Sequence, residues 1–294
     1  MQRQRFLELR RLLRRAAAGH VMLGQCRYSD AVIVQVALWA ALHNRSILWA
    51  TRPEHWPGDL RPRMGLPSQS RMSRRLRTVG VLALIDRFEQ RMREVLPRSD
   101  VQLVDGRPLV VGGFSKDRQA QRGDAAGQWQ KGYKLHLACN QRGVVNAWHV
   151  TKMRHDEPKA AALMLDHMPP GGWILADAMY DRNTLYEQAA TRGSRWIALP
   201  RNSKAKGLSH QWHHPDRRVA WPYVRTGAGR GLVKKHQIRI EQVNAWQGQP
   251  AIGLGPLPHH VRRLHRVRIW VALKLIIYHH WLGKKDRPDI WDHA

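Results

Sequence analysis

Two apolar runs in this sequence end on an aspartate: Val101-Gln-Leu-Val-Asp105, followed by Gly106, and Trp173-Ile-Leu-Ala-Asp177. An acidic side chain that finishes a strand is costly to strip of water unless it is paired or bound to a cation. Carboxylates on rigid strand ends are the ligands that hard divalent cations such as Mg²⁺ or Mn²⁺ require. Two such ions about 4 Å apart can activate a nucleophile and stabilise a leaving oxygen, which is what phosphodiester cleavage at neutral pH needs. Each aspartate alone also reads as a turn former, Asp105 above all with Gly106 beside it.

A third carboxylate is sought further along. Between Arg192 and Lys285 the only acids are Asp216 and Glu241. Asp216 lies in the turn-like stretch His213-His-Pro-Asp-Arg-Arg218, where pairing with a neighbouring arginine accounts for it. Glu241 sits on a helical pattern whose Ile238, Ile240, Val243 and Trp246 face a core. An acid beside that face calls for a metal or, equally ordinary, a helical ion pair. His155-Asp156-Glu157-Pro158 reads as a helix start, with Asp156 or Glu157 as its cap. The histidine pairs 213–214, 259–260 and 279–280 lack a Cys or carboxylate partner at ligand spacing, so they read as surface or DNA-facing groups rather than a zinc site.

Charge narrows the partner. The 294 residues carry fifty Lys and Arg against twenty-two Asp and Glu, a formal +28. Such an excess repels itself unless the usual partner is a polyanion, and nucleic acid gains affinity from every neutralised phosphate. No small-molecule substrate is expected. Cys26 and Cys139 sit in unrelated contexts and build no disulfide framework, which suits a reducing cytosol. The stretch from Ile269 to Leu282 is too short and too interrupted by Lys274, His279 and His280 to span a bilayer. A cytoplasmic, nucleoid-associated protein that does not engage a membrane is expected.

These residues need a scaffold, and the chain divides into two textures. Residues 1–98 read as helical: a helix from Ser29 or Asp30, a Pro- and Gly-rich loop, a short helix from Ser68 or Ser70, and a further one from about Val81 to Leu96 after an interruption at Gly80. From Val101 strands dominate: Val101–Asp105, 110–113, and a hairpin of Lys131–Asn140 with Val144–Thr151. A helix over 157–168, a strand to Asp177, a helix over 183–191 and a strand over 196–200 follow. Residues 201–232 show no period. Helical texture returns over 232–247 and in a last helix over 259–282, with Arg262, Arg263, Arg266 and Arg268 on its first turns. The expected fold is α/β, a mixed sheet flanked by helices in the order of a ribonuclease H-like core. The expected division is 1–98 as an all-helical, helix-turn-helix-like DNA-binding domain, 99–285 as the catalytic domain, and 286–294 as a disordered tail.

Within the helical part, residues 66–79 present Gln69, Ser70, Arg71, Arg74 and Arg75 as a recognition helix for bases or phosphates. Arg262, Arg263 and Arg266 suit the tracking of phosphates. Trp212 and Trp221 lie in a basic segment and are candidates for stacking on an unpaired base.

Five stretches resemble bacterial insertion-sequence transposases of the Asp-Asp-Glu class: Leu103-Val-Asp-Gly106, Lys131-Gly-Tyr-Lys-Leu-His136, His155-Asp156, Ala176-Asp-Ala-Met-Tyr-Asp181 and Ile240-Glu-Gln-Val243. They run in the family's order across roughly residues 100 to 280, and Asp177-x-x-Tyr180-Asp181 is the most specific. Tyr28-Ser-Asp30 and Leu66-Pro-Ser-Gln-Ser-Arg-Met-Ser-Arg-Arg75 resemble the DNA-binding region that precedes such catalytic domains. The resemblance implies a ribonuclease H-like core in which Asp105, Asp177 and Glu241 hold two Mg²⁺ or Mn²⁺ ions. It also implies cleavage of 3′ ends at terminal inverted repeats, strand transfer into target double-stranded DNA, and a homodimer on DNA. The family's Tyr-x2-Arg-x3-Glu-x6-Lys pattern is replaced here by Lys234, Gln237, Glu241 and Gly248. Lys234, Lys235 and Arg239 remain as phosphate grips. A nuclease that never joins strands, or a DNA-binding protein without catalysis, are the rival readings.

Overall fold

The computed structural model describes residues 2–22, 24, 26–112, 114–125, 127–201, 208 and 212–292. Gly113, most of the aperiodic 202–211 segment and the last two residues of the expected tail lie outside the described residues. The chain forms two compact units, one of residues 1–96 with 247–294 and one of residues 97–246.

Among its described residues the first unit is all-helical. Helix α1 (Gln2–Ala16) buries Phe6, Leu9, Leu12 and Leu13, the three- and four-residue spacing of one helical stripe. Ser29 starts α2 (Asp30–Leu42) by accepting the Val32 N–H at 3.3 Å. The sequence suggests one apolar face on α2, but the helix is buried nearly all round. After the one-turn α3 (Ile47–Ala50), Ser68 caps α4 (Gln69–Arg75). Gly80 does not interrupt α5 (Val79–Val95) but lies inside it. A Cβ there would sit 2.6 Å from the Asp30 carboxylate, so glycine is what allows this close approach.

Residues 247–292 belong with these helices, not with the sheet where the sequence places 247–285. The reason is the last helix, α10 (Leu264–Asp286), which buries Val267, Val271, Leu275, Ile276, Ile277 and Tyr278 and needs helical partners on several sides. Lys274, fully buried on it, donates to the carbonyls of Ala41 at 2.5 Å and Ile252 at 2.7 Å and to Asn44 Oδ1. Burial lowers its pKa to about 7, while three oxygen acceptors favour the ammonium. In the tail expected to be disordered Ile290 and Trp291 are buried: Trp291 is 1% exposed, stacks on His280 and donates to its carbonyl at 3.0 Å. The 279–280 pair is likewise buried rather than on the surface, with His280 beside Glu8 at 2.9 Å.

The second unit is a six-stranded mixed sheet flanked by helices. Its strands are β1 (Val101–Val110), β2 (Gln121–Ala125), β3 (Gln128–Asn140), β4 (Val145–Lys152), β5 (Trp173–Ala176) and β6 (Arg195–Ala198). Strand β3 pairs antiparallel with β1 on one edge and with β2 and β4 on the other, while β1, β5 and β6 run parallel. The two expected runs 101–105 and 110–113 are one strand through Val110, because Gly106 and Pro108 both keep register with β3. Pro108 is tolerated since β5 leaves β1 at Val104, which makes the rest of β1 an edge on that side. The expected hairpin is present, and β2 is a strand the sequence did not suggest.

Helices α6 (Glu157–Leu165) and α7 (Asn183–Thr191) contribute Met164, Leu165, Leu185 and Tyr186 to a core with Val104, Ile174 and Trp196 from the sheet. The aperiodic 201–232 segment contains α8 (Pro215–Arg225), and α9 (Gly227–Gly248) begins well before the expected Leu232. Proline at its first position and His214 as its cap start α8, so His213-His-Pro-Asp is a helix start, not a turn.

Replacing Lys274 with methionine removes the ammonium donor shared by Asn44 Oδ1 and the Ile252 and Ala41 carbonyls, of which Ala41 keeps the Asn44 N–H at 3.1 Å. We expect a loss of about 3 kcal/mol in urea unfolding of the full chain. An unchanged midpoint would show that these oxygens find other donors.

Candidate active site

Parallel pairing of Val104 with Ala176 brings the next residues of the two strands, Asp105 and Asp177, to neighbouring positions. Asp105 continues within β1, whereas Asp177 leaves β5 and caps a one-turn 3-10 helix over Ala178–Tyr180. Each carboxylate is oriented by backbone: Asp105 Oδ1 accepts the Gly106 N–H at 2.8 Å, and Asp177 Oδ1 accepts the Met179 N–H at 2.8 Å. A Cβ on Gly106 would lie 3.1 Å from the Tyr180 hydroxyl, 3.3 Å from His136 Nδ1 and 3.4 Å from Lys134 Cδ. Glycine therefore lets the Asp177–Tyr180 turn close onto β1.

Both aspartates are harder to ionise than usual. Burial, with the charges of Asp177 and Glu157 adding to it, pushes the Asp105 carboxyl up to about 6 against the pull of its hydrogen bonds. Burial and then Glu157 raise Asp177, opposed by the Met179 N–H and by Lys134. Glu157 at the start of α6 is thus the other carboxylate whose charge reaches both, and Lys134 on β3 pairs with it. A divalent cation removes both burial and repulsion penalties, so this donor pair fits a hard metal ion. Among the described residues no set of three His, Cys, Asp or Glu side chains is gathered to hold one.

Glu241 is exposed on α9 and makes no contact with this pair among those described. The α9 side chain that reaches Asp105 is Asn244, whose Nδ2 donates to Oδ2 at 3.0 Å. Its own Oδ1 is buried and unpaired, and its carbonyl accepts from Arg107 Nη1 at 3.1 Å. Residues three apart lie on adjoining helix faces, so Glu241 is one turn removed from that contact. The sequence reading missed Asn244, Lys134 and Glu157 as neighbours of Asp105 and Asp177. Lys134 lies in one of the family-like stretches, but nothing in local spacing marks Asn244.

The family-like Asp177-x-x-Tyr180-Asp181 element splits three ways. Asp177 enters the site, Tyr180 is buried, and Asp181 takes two hydrogen bonds of 2.8 Å from Arg217 on α8. Arg217 thereby serves Asp181 rather than Asp216, and it also contacts buried His213 at 2.9 Å. Asp156 precedes α6 and pairs with Arg182 at 3.1 Å without capping the helix through its side chain.

The candidate DNA contacts divide into available and committed groups. Gln69, Ser70, Arg74, Lys234, Lys235 and Arg266 are exposed. Arg71 lies 5.5 Å over the Tyr28 ring. Arg75 is committed to structure, paired with buried Asp30 and donating to the Tyr28 carbonyl at 3.0 Å. Arg239 donates to the Gln141 carbonyl at 2.8 Å and lies 4.6 Å over Trp246. Arg262 donates to the carbonyls of Pro258 and Val261, and Arg263 precedes α10 at φ 69°, so neither lies on its first turns as the sequence suggests. Trp212 is 59% exposed, whereas Trp221 is half-buried under Arg225 at 4.4 Å.

The model of the transposase DDE domain family matches residues 96–279. No curated protein matches the sequence. Among solved structures, a piggyBac transposase in a synaptic complex with hairpin DNA is similar at a TM-score of 0.49 and 9% identity, over 99% of this chain and 72% of that one. No helix among the described residues is long and apolar enough to cross a membrane.

The raised Asp105 pKa sets a sign. Below about pH 4 the carboxyl is protonated folded or unfolded, and above about pH 6 the fold bears the full cost of its ionisation. In metal-free buffer at pH 8, Asp105→Asn should therefore stabilise the protein by on the order of 2 kcal/mol, with the gain vanishing near pH 3.5. Asn244 can turn its unpaired Oδ1 toward the new amide. Thermal melts across pH check this, and added Mg²⁺ should raise the Tm of the unsubstituted protein but not of the variant.

Proposed function

The chain belongs to the family of the transposase DDE domain, and we propose that it binds the ends of its own element as double-stranded DNA, cleaves their 3′ ends and transfers them into target DNA. The observation that carries this reading is the placement of Asp105, inside β1, and Asp177, just past the end of β5, directly after the paired residues Val104 and Ala176. With Mg²⁺ or Mn²⁺ bound, two ions supply an activated water and stabilise the departing 3′ oxygen.

The residues of this chain prepare for that chemistry. The Gly106 N–H and Asn244 fix the Asp105 carboxylate, and the Met179 N–H fixes Asp177. Lys134 holds Glu157 and lowers the repulsion that the acids exert on one another. Two protein carboxylates with substrate phosphate and water are an ordinary ligand set for Mg²⁺. Glu241, exposed on α9, is the third ligand in this proposal, reached once DNA and metal are bound. Exposed Arg74, Lys234, Lys235 and Arg266 hold phosphates, while Gln69 and Ser70 at the start of α4 face bases. Bringing two element ends together calls for two copies of the chain on DNA.

A second reading, a DNA-binding protein without catalysis, is favoured by an amide on Asp105 and by Gly248 where the family carries lysine. Nicking of end-labelled DNA bearing the element's terminus, with Mn²⁺, decides between them. Asp105→Asn and Asp177→Asn should each lower cleavage by about 1,000-fold, the equivalent of several kcal/mol of lost charge stabilisation, with binding in gel shifts unchanged. Absence of nicking by the unsubstituted protein would leave binding as its activity. Glu241→Gln and Glu157→Gln are compared in the same assay. Loss confined to Glu241→Gln supports the ligand from α9, and loss confined to Glu157→Gln moves that role to α6. Strand-transfer products separate a transposase from a nuclease that only cuts.

A further inference from the structure

The helical unit contains a cavity of about 380 Å³ bounded by α2, α3, α4, α10 and the 260–266 segment. That volume lies in the range of small-molecule sites. Its inner wall is apolar: Ala37, Leu76, Trp270 and Leu273 are all buried. Its mouth is basic, with exposed Arg45, Arg77 and Arg266, and no acid lines it among the described residues. The arginines stand close enough to His265 for Arg266 and Arg77 to lower its pKa further after burial has done so. Along one side, α4 presents Gln69, Ser70 and Ser73.

An apolar recess with a crowded cationic mouth suits an occupant that carries negative charge. The occupant must bring a ring or other apolar body for the wall, negative charge for the mouth, and polar edges for the amide and hydroxyls of α4. A nucleotide has all three: a base with a flat apolar face and polar rim, and a phosphate that arginine grips with paired hydrogen bonds. Arg74, also on α4, lies outside the cavity lining. Gln69, Ser70 and Ser73 of α4 thus border a concave site.

We propose that this cavity is a nucleotide site, taking one base against the Trp270–Leu273 wall and its phosphate on Arg45, Arg77 and Arg266. The nucleotide is one unstacked from bound DNA, or a free mononucleotide with the same chemistry. The proposal deepens the DNA-acting reading given above and rests on it only for the first source. Extruding a base from a duplex costs a few kcal/mol, least where the base is already unpaired, so an unpaired nucleotide is the sensitive probe.

The test uses the full chain and two fluorescent duplexes, one fully paired and one with a single-nucleotide bulge, plus AMP as a free-nucleotide probe. Ser73→Trp fills the cavity from α4, and Arg77→Gln removes a charge at its exposed mouth without touching the core. Bulged DNA should bind about tenfold more tightly than paired DNA, the gain from seating one base. Both variants should lose that preference, with Ser73→Trp still binding paired DNA. If AMP binds and both variants abolish it while the duplexes bind alike, the site takes free nucleotides. Equal binding of the two duplexes together with no AMP binding overturns the proposal. That result, with paired DNA still bound and nicked, leaves the transposase reading standing, whereas no DNA binding at all would count against that reading instead.

Discussion

The sheet unit depends on placing two like charges side by side in a partly dehydrated site. Parallel pairing of β1 with β5 ends at Val104 and Ala176, and the next residue on each strand is an aspartate. Sheet geometry holds neighbouring strands about 4.8 Å apart, so the residues that follow Val104 and Ala176 start out as neighbours, Asp105 inside β1 and Asp177 at the turn after β5. Around them the chain assembles backbone N–H donors, an amide from α9 and a lysine paired to a nearby glutamate. Burial above all, and then the charges of Asp177 and Glu157, outweigh these hydrogen bonds and push the Asp105 carboxyl up to about 6. A site left with unbalanced negative charge is one prepared for cations.

The excess of basic residues is put to two uses. Part of it is structural: Arg75 serves buried Asp30, Arg217 serves buried Asp181, and Lys274 joins three oxygens inside the helical unit. Each of these cations is held against oxygen acceptors by more than one hydrogen bond, and none is spare for phosphate. Other basic residues lie exposed, among them Lys234 and Lys235 on the first half of α9, Arg74 and Arg266. Net charge alone therefore overstates the DNA-facing surface, because buried acids and carbonyls draw arginine and lysine inward.

Helix phase governs what α9 offers the site. Of the four α9 residues expected to face a core, Ile240 and Val243 are buried, Trp246 is half-buried and Ile238 is exposed, and that orientation leaves Glu241 exposed while Asn244 meets Asp105. A rotation of about 100° per residue separates neighbouring side chains, so small changes of phase exchange one candidate for another. The carboxylates on strands are less sensitive, since strand register is locked on both sides by hydrogen-bonded neighbours.

Local signals in the sequence were enough to identify Asp177 as an acid that follows a strand, Ser29 and Ser68 among the helix starts and the β3–β4 hairpin, whereas Asp105, expected to end a strand, lies inside β1. Each rests on periodicity or a cap, which are properties of a few adjacent residues. Other features depended on contacts far apart in the chain. Residues 247–292 joined the helical unit because α10 is apolar on several faces and packs against α5 and α2. Arg75 and Arg262 became structural through partners that no spacing reveals. Asn244, not Glu241, reached Asp105 because the burial of α9 chose which face meets β1. Sequence determined which residues could carry charge and where strands begin. Tertiary packing alone decided which charges meet, because a side chain's partner is set by the fold's long-range register rather than by its neighbours in the chain.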